Sequence, residues 1–461
     1  MTPTFAPASA KARPLHVVSP EGLADWRAAQ PTHWQAWLDS AGFDAGLGEV
    51  RLLPGPDGTV VAAVVGHGTR NARARQRFGL AKAAGQLPAG DWRLEGALGT
   101  ADATEAALGW LLQSYAFTRY RPGKPAKSQA RLVAPDGIDA ARLETMAAAE
   151  FLTRDLINTP AADMGPAELQ EAFMTLAARF GAVTEVIIGD DLIAQNFPMV
   201  HAVGRAATRA PRIMSMQWGS TGPAITLVGK GVCFDTGGLD LKPSAGMLQM
   251  KKDMGGAATV LGLAQMIMAM GLPVRLRVIV PAVENAVAGN AMRPRDILTS
   301  RKGLTVEINN TDAEGRLILG DALAWADEDK PDLVLSMATL TGAARVAVGP
   351  DLAPFFTDDD ALAQALQGAA TKGFDPVWRL PFWDAYEPMI EPGIADLDNA
   401  PSAGFAGAIT AALFLRRFVG APFMHFDIYG HQPADAPGRP KGGVGQAARA
   451  LLGMIEGLAR G

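Results

Sequence analysis

Between residues 183 and 428 short apolar runs alternate with helical stretches, and that alternation admits few folds. The spacing predicts strands at Val183–Ile188, Arg212–Trp218, Ile225–Gly229, Val274–Val280, Leu304–Ile308, Asp332–Met337 and Phe423–Ile428. It predicts helices over 140–158, 166–180, 255–270, 315–328, 359–370, 404–418 and 443–458. Several strands are apolar at nearly every position, which requires burial on both faces. The fold class is therefore α/β, with a mixed or parallel sheet flanked by helices.

The chain has 461 residues, more than one hydrophobic core usually holds, so two domains are expected. Val60–Val65 reads as a buried strand and Ala101–Phe117 as a helix. The basic, Pro/Gly-rich run Arg119–Lys127 is the best linker candidate. The expected order is a flexible tail over 1–14, a smaller N-terminal α/β domain over 15–135, and a larger C-terminal domain over 136–461 that carries the chemistry.

Composition removes several function classes. Lys and Arg number 42 against 47 Asp and Glu, a formal charge of −5, which argues against a surface built for polyanions. A single cysteine, Cys233, rules out an internal disulfide framework and reads as a small buried hydrophobe. The six histidines, at 16, 33, 67, 201, 425 and 431, show no HExxH or HxxxH spacing, so a metal here would need carboxylate ligands. The N-terminal residues lack a secretory pattern, and the most apolar run, Ala257–Val274, is interrupted by Thr259, Gln265 and Pro273. The expectation is a cytoplasmic protein with no membrane span.

Two segments carry the candidate chemistry. In the first, strand 225–229 runs into Lys230, then Asp235, Gly237-Gly238, Lys242 and Asp253. Ligands of open α/β sheets gather at carboxyl strand ends, and glycines there let the backbone approach them. Taken singly, Asp253 reads as a helix N-cap, Asp235 as a turn residue, and the lysines as solvated surface. In the second, strand 304–308 leads to Asn310, Asp312, Glu314 and Arg316 before a helix. Asp312 and Glu314 are two apart, so in extended chain they share a side and repel unless cations lie between them. The local reading there is a capping box with a salt bridge. Together, Asp235, Asp253, Asp312 and Glu314 carry four negative charges, enough to balance two divalent ions in a hydrolytic site.

At these residues the chain resembles the leucyl (cytosol) aminopeptidase family of metallopeptidases. NTDAEGRL at 310–317 is that family's signature, and the series Lys230, Asp235, Lys242, Asp253 matches its spacing. TLTGA at 339–343, VEN at 283–285 and AGAITAALFL at 406–415 match as well. The resemblance covers about residue 140 onward, and a smaller N-terminal α/β domain is expected by analogy. It implies a metal-dependent aminopeptidase that removes the N-terminal residue of short peptides with a free α-amine, through a water activated by two metals. It implies that Lys230, Asp235, Asp253 and Glu314 hold a tighter ion, and Asp235, Asp312 and Glu314 a more exchangeable one, either Zn²⁺ or Mn²⁺. Lys242 would stabilise the gem-diolate, and Arg316 would hold a bicarbonate acting as general base. Asp253 and the metal it helps hold would receive the free α-amine. Asn310, Thr339 and Leu340 would line the substrate backbone, and Met250 the pocket for the first side chain. A homohexamer is the implied assembly.

This chain departs from the family's usual pattern at Leu239-Asp240, at MHFDIYGHQP (424–433) and at PKGGVGQAA (440–448), which touch the expected pocket wall. The competing reading is a nucleic-acid-binding or regulatory protein that keeps an aminopeptidase body. Its local support is RNARARQR at 70–77 and the linker run, and the net charge opposes it.

Overall fold

The computed structural model describes residues 2–8, 11–121, 129–401 and 404–460. Two compact units are present: Met1–Phe151 with Ala434–Lys441, and Leu152–Pro433 with Gly442–Gly461. The division falls inside the helix Ala140–Asn158, sixteen residues beyond the boundary expected from composition. Most of the run taken as a linker, residues 122–127, lies outside the described residues.

The first unit is built on five strands: β1 (Arg13–Val18), β2 (Val50–Pro54), β3 (Val60–Gly66), β4 (Gly90–Glu95) and β5 (Ala130–Leu132). Their order is β2-β3-β1-β4-β5, parallel except for β2 at the edge. β3 (VVAAVVG) is buried from its third residue on, as a central strand should be. The expected loose tail over 1–14 is pinned in its described part. Ala6 N donates to Leu132 O at 2.7 Å, and Ala6, Ala12 and Val133 form a small buried cluster. Pro- and Ala-rich sequence hid this because one bridge and two alanines leave no periodicity.

The second unit contributes β6 (Val183–Ile188), β7 (Arg212–Trp218), β8 (Ala224–Gly229), β9 (Gly231–Asp235), β10 (Arg275–Asn285), β11 (Ile297–Thr299) and β12 (Thr305–Glu307). Then follow β13 (Leu333–Ala338), β14 (Ala353–Phe356), β15 (Val377–Arg379), β16 (Leu397–Asp398) and β17 (Phe423–Asp427). Its large mixed sheet runs β15-β14-β17-β13-β8-β10-β7-β6, with β9 paired to the far half of β10. Strands β17, β13, β8 and β10 are mutually parallel at the centre. Every residue of β13 and β17 is buried, which explains their continuous apolar sequence.

The helix Gly255–Ala269 is apolar all round and almost entirely buried against this sheet. Its second glycine has a steric reason. A Cβ on Gly256 would meet the Met337 carbonyl oxygen at 2.1 Å, so only glycine lets the helix start lie against β13. A separate small sheet orders β11-β12-β16, with β12 parallel to β16. It lays the residues after β16 alongside those after β12. The expected strand 304–308 is thus β12 in this small sheet and not part of the large one. No helix among the described residues is long and apolar enough to cross a membrane.

Candidate metal centre

The register of the parallel strands brings the key residues level. Gly229 of β8 lies opposite Met337 of β13, and Met337 opposite Phe426 of β17. Lys230, Thr339 and Asp427 therefore emerge together at the carboxyl end of the sheet. Asp235 ends β9 opposite Asn285, the last residue of β10. It is a strand end and not a turn residue. Asp253 is not the N-cap of the helix Gly255–Ala269: Met254 occupies that position, and no side chain caps the helix start. Asp312 and Glu314 do not lie in extended chain either, since Glu314 opens the helix Glu314–Glu328. No capping box forms there, because Ala313 is the cap residue.

All five candidate metal ligands converge. Asp235, Asp312 and Glu314 each place one carboxylate oxygen within 4.8 Å of the others. Lys230 Nζ lies 2.7 Å from Asp253 Oδ2 and 2.9 Å from Glu314 Oε1, and it donates to Thr339 O at 3.2 Å. Lys242 Nζ lies 2.8 Å from Asp235 Oδ2 and pairs closely with Asp312. Asp235 Oδ1 accepts from Gly237 N and Asn285 Nδ2, both at 2.9 Å. Asp253 Oδ1 accepts from the Thr339 hydroxyl at 2.8 Å.

The electrostatics show how crowded the cluster is. Burial, with Asp235 beside it, pushes the Glu314 carboxyl up to about 8. Burial and Asp235 also raise Asp312, to about 6, against the pull of Lys242. Burial alone would lower Lys230, but Asp253, Glu314 and Asp235 more than offset it and hold its ammonium protonated. Lys242 is raised in the same way, chiefly by Asp235. Asp253 stays below the usual carboxylate range because Lys230 and Lys252 outweigh its burial.

The donor set fits divalent ions. Asp253 Oδ2 and both Glu314 oxygens are buried and take no hydrogen bond, although Lys230 lies close. Buried carboxylate oxygens seldom stay unbonded. Oxygen-rich ligands with one amine suit Zn²⁺ or Mn²⁺.

Around the cluster lies a cavity of about 600 Å³. Met250, Asn310, Thr339, Leu340 and Arg316 all line it, so each expected substrate-side residue faces the cluster. Arg316 is buried, its guanidinium is bonded to Asn399 O, and its Nε has no partner. Burial lowers it to about 10, which leaves it cationic at neutral pH. Asp240, the departure beside Lys242, turns toward the second segment and accepts from Thr311 N at 2.7 Å.

Three contributors were not singled out from sequence. Asn399, fully buried, accepts from Asn309 N and Asn310 N and donates to Asn310 O, fixing the 309–313 loop. Asp427 accepts from Leu340 N at 3.0 Å and Thr341 N at 2.9 Å, which sets the backbone of the TLT turn. Lys252 shares the short turn Met250–Lys252 and reaches the cavity. Asp427 did carry a signal, a carboxylate at the end of an apolar strand. Asn399 carried none.

Comparison with known proteins agrees with this geometry. Residues 151–452 match the cytosol aminopeptidase family catalytic domain, and residues 13–135 match the M17 aminopeptidase N-terminal domain. A probable cytosol aminopeptidase of Leifsonia xyli is 38% identical, covering 91% of this chain and 90% of its own. One from Roseiflexus castenholzii is 40% identical over 77% of each chain. Among solved structures, a cytosol aminopeptidase from Coxiella burnetii superposes with a TM-score of 0.93 at 42% identity, covering 98% of both chains. The bottromycin maturation enzyme BotP in complex with Mn gives 0.87 at 32% identity, covering 98% of this chain and 100% of that one.

Proposed function

Since the chain belongs to the cytosol aminopeptidase family and is a metal-dependent aminopeptidase, we propose that its cavity removes the first residue of short peptides with a free α-amine. The observation that carries this reading is the convergence of the Asp235, Asp312 and Glu314 carboxylates within 4.8 Å, with Asp253 beside them and Glu314 Oε2 buried without a hydrogen bond.

Lys230, Asp235, Asp253, Asp312 and Glu314 would hold two divalent ions, Zn²⁺ or Mn²⁺. When bound, such ions polarise the scissile carbonyl and make water nucleophilic at neutral pH. Asp253, with the ion it would help hold, would receive the substrate's free α-amine. Lys242, facing the cavity, would donate a hydrogen bond to the carbonyl oxygen as negative charge grows there, an oxyanion role. Arg316, with its Nε free of partners, would hold a bicarbonate that takes a proton from the attacking water. Asn310, Thr339 and Leu340 would align the peptide backbone, and Met250 would face the first side chain. No histidine among the described residues lines this cavity, which agrees with a bicarbonate in the role of base.

A homohexamer in the cytoplasm completes the reading by family resemblance. The relatives are named as cytosol enzymes. Nucleic-acid binding is not favoured, because the family, the curated relatives and the Coxiella burnetii structure are aminopeptidases in their descriptions.

The deciding experiment compares Leu-p-nitroanilide hydrolysis by chelator-stripped protein with and without restored Mn²⁺ or Zn²⁺. Metal-restored cleavage is expected. Two bound ions per chain with no cleavage of any peptide would overturn the reading.

A further inference from the structure

Lys230 and Lys242 each sit between two carboxylates, but Lys252 in the same cavity does not. Its side chain is almost wholly buried, and its ammonium makes no hydrogen bond to any described residue. The nearest carboxylate oxygen, Asp253 Oδ1, is 4.0 Å away and already accepts the Thr339 hydroxyl. The ammonium lies instead 5.3 Å from the centre of the Tyr429 ring. A second cation uses that ring: the Arg345 guanidinium carbon is 4.9 Å from its centre. Arg345 has no ion pair among the described residues. All three side chains line the cavity that holds the carboxylate cluster.

The buried Lys252 charge is costly unless an opposite charge meets it, and the ring face only partly does so, while the exposed Arg345 adds a second cation at the same ring. Two cations at one aromatic wall, Lys252 with only the 4.0 Å contact to the shared Asp253 and Arg345 with no ion pair among the described residues, leave room for an anion from outside. Lys252 also shares a turn with Met250, which is assigned above to the first side chain.

We propose that Lys252, Arg345 and Tyr429 form a subsite for a substrate carboxylate, so that the enzyme selects anionic peptides. The inference rests on the aminopeptidase reading. The carboxylate can come from an acidic first side chain or from the free C-terminus of a dipeptide, and matched substrates separate the two. Glu- and Gln-p-nitroanilide differ only in the side-chain charge. Leu-Gly and Leu-Gly-amide differ only in the terminal one.

The test measures kcat/KM for these four substrates, and for Leu-p-nitroanilide, with the Mn²⁺-loaded enzyme. A Glu:Gln ratio above one that falls at least tenfold in Lys252→Met and returns in Lys252→Arg assigns the subsite to an acidic side chain. The same pattern in the Leu-Gly:Leu-Gly-amide ratio assigns it to a dipeptide terminus. Arg345→Met, at an exposed position, carries the same test if Lys252→Met fails to fold. The subsite is overturned if neither ratio exceeds one, or if neither falls in the Lys252→Met and Arg345→Met variants. A wild-type enzyme that fails on Leu-p-nitroanilide after metal is restored overturns the aminopeptidase reading itself.

Discussion

Asp240 and Thr311 clasp each other across the two segments that build the metal centre. Thr311 N donates to Asp240 Oδ2 at 2.7 Å, and Asp240 N donates to Thr311 Oγ1 at 2.8 Å. Thr311 Oγ1 also donates to Gly237 O at 2.6 Å. The clasp ties the loop carrying Lys242 to the loop carrying Asp312. Gly237 and Gly238 permit the bend with φ of +91° and +68°, and a Cβ on Gly237 would strike Asp240 O at 2.5 Å.

Replacing Asp240 with Ala leaves the buried Thr311 N–H without its partner, a loss of about 1–3 kcal/mol. The expected outcome is a lower melting temperature and weaker metal retention, read by activity against free Mn²⁺. Asp240→Asn keeps an acceptor and should recover most of both. Equal behaviour of the two variants would show that the clasp does not position the centre.

Asp312→Ala removes a proposed ligand without unfolding the sheet, since Asp312 lies in a loop after β12. Metal-restored hydrolysis of Leu-p-nitroanilide should drop by more than about 100-fold, the upper range seen even for partners of ligands. In the wild-type protein, chelation should lower the melting temperature and added metal should raise it, because ions bind the folded state alone. Full activity in Asp312→Ala would remove it from the ligand set.

An N-acetylated peptide cannot offer an α-amine to Asp253. A site with a buried polar group left unmatched discriminates by about 10⁴-fold or more. Kinetics on Leu-Gly-Gly and its acetylated form check this, and comparable rates would refute amine recognition at Asp253.

Asp321 supplies the pH prediction, at a distance from the centre's chemistry. It is fully buried and accepts from Met199 N, Val200 N and Arg301 N. Burial raises its carboxyl to about 7, with those N–H groups pulling the other way. An unfolded aspartate titrates near about 3.9. The folded state therefore holds the proton more tightly, and the resulting stability is full below about pH 4 and lost as pH rises through about 7. Asp321→Asn lacks this dependence. The melting-temperature gap between wild type and variant should narrow from pH 5 to pH 8, and a widening gap contradicts the assignment.

The large sheet was legible because burial on two faces writes long apolar runs. β6 and β7 fall where the spacing put them, and so does the helix Pro166–Phe180. β9 was not legible, since five residues between Lys230 and Thr236 read as the approach to a turn. The candidate ligands stood out because they cluster in two segments with a family signature, while their geometry did not. Extended chain was expected at Asp312 and Glu314, but a helix begins there. Asn399 stayed invisible, because its role depends on β16 lying beside β12, a contact between residues some ninety apart. Lys252 looked like one of two lysines before an aspartate, and only tertiary structure separates it from Lys251, which donates to Asn158 O.

β17 is nearly the last strand in the chain, yet it sits between β13 and β14 near the middle of the large sheet. Until residue 427 has left the ribosome, that slot is empty and Asp427 cannot set the turn after β13. The nascent chain thus carries every candidate ligand, the last at Glu314, well before Asp427 can shape the cavity around them.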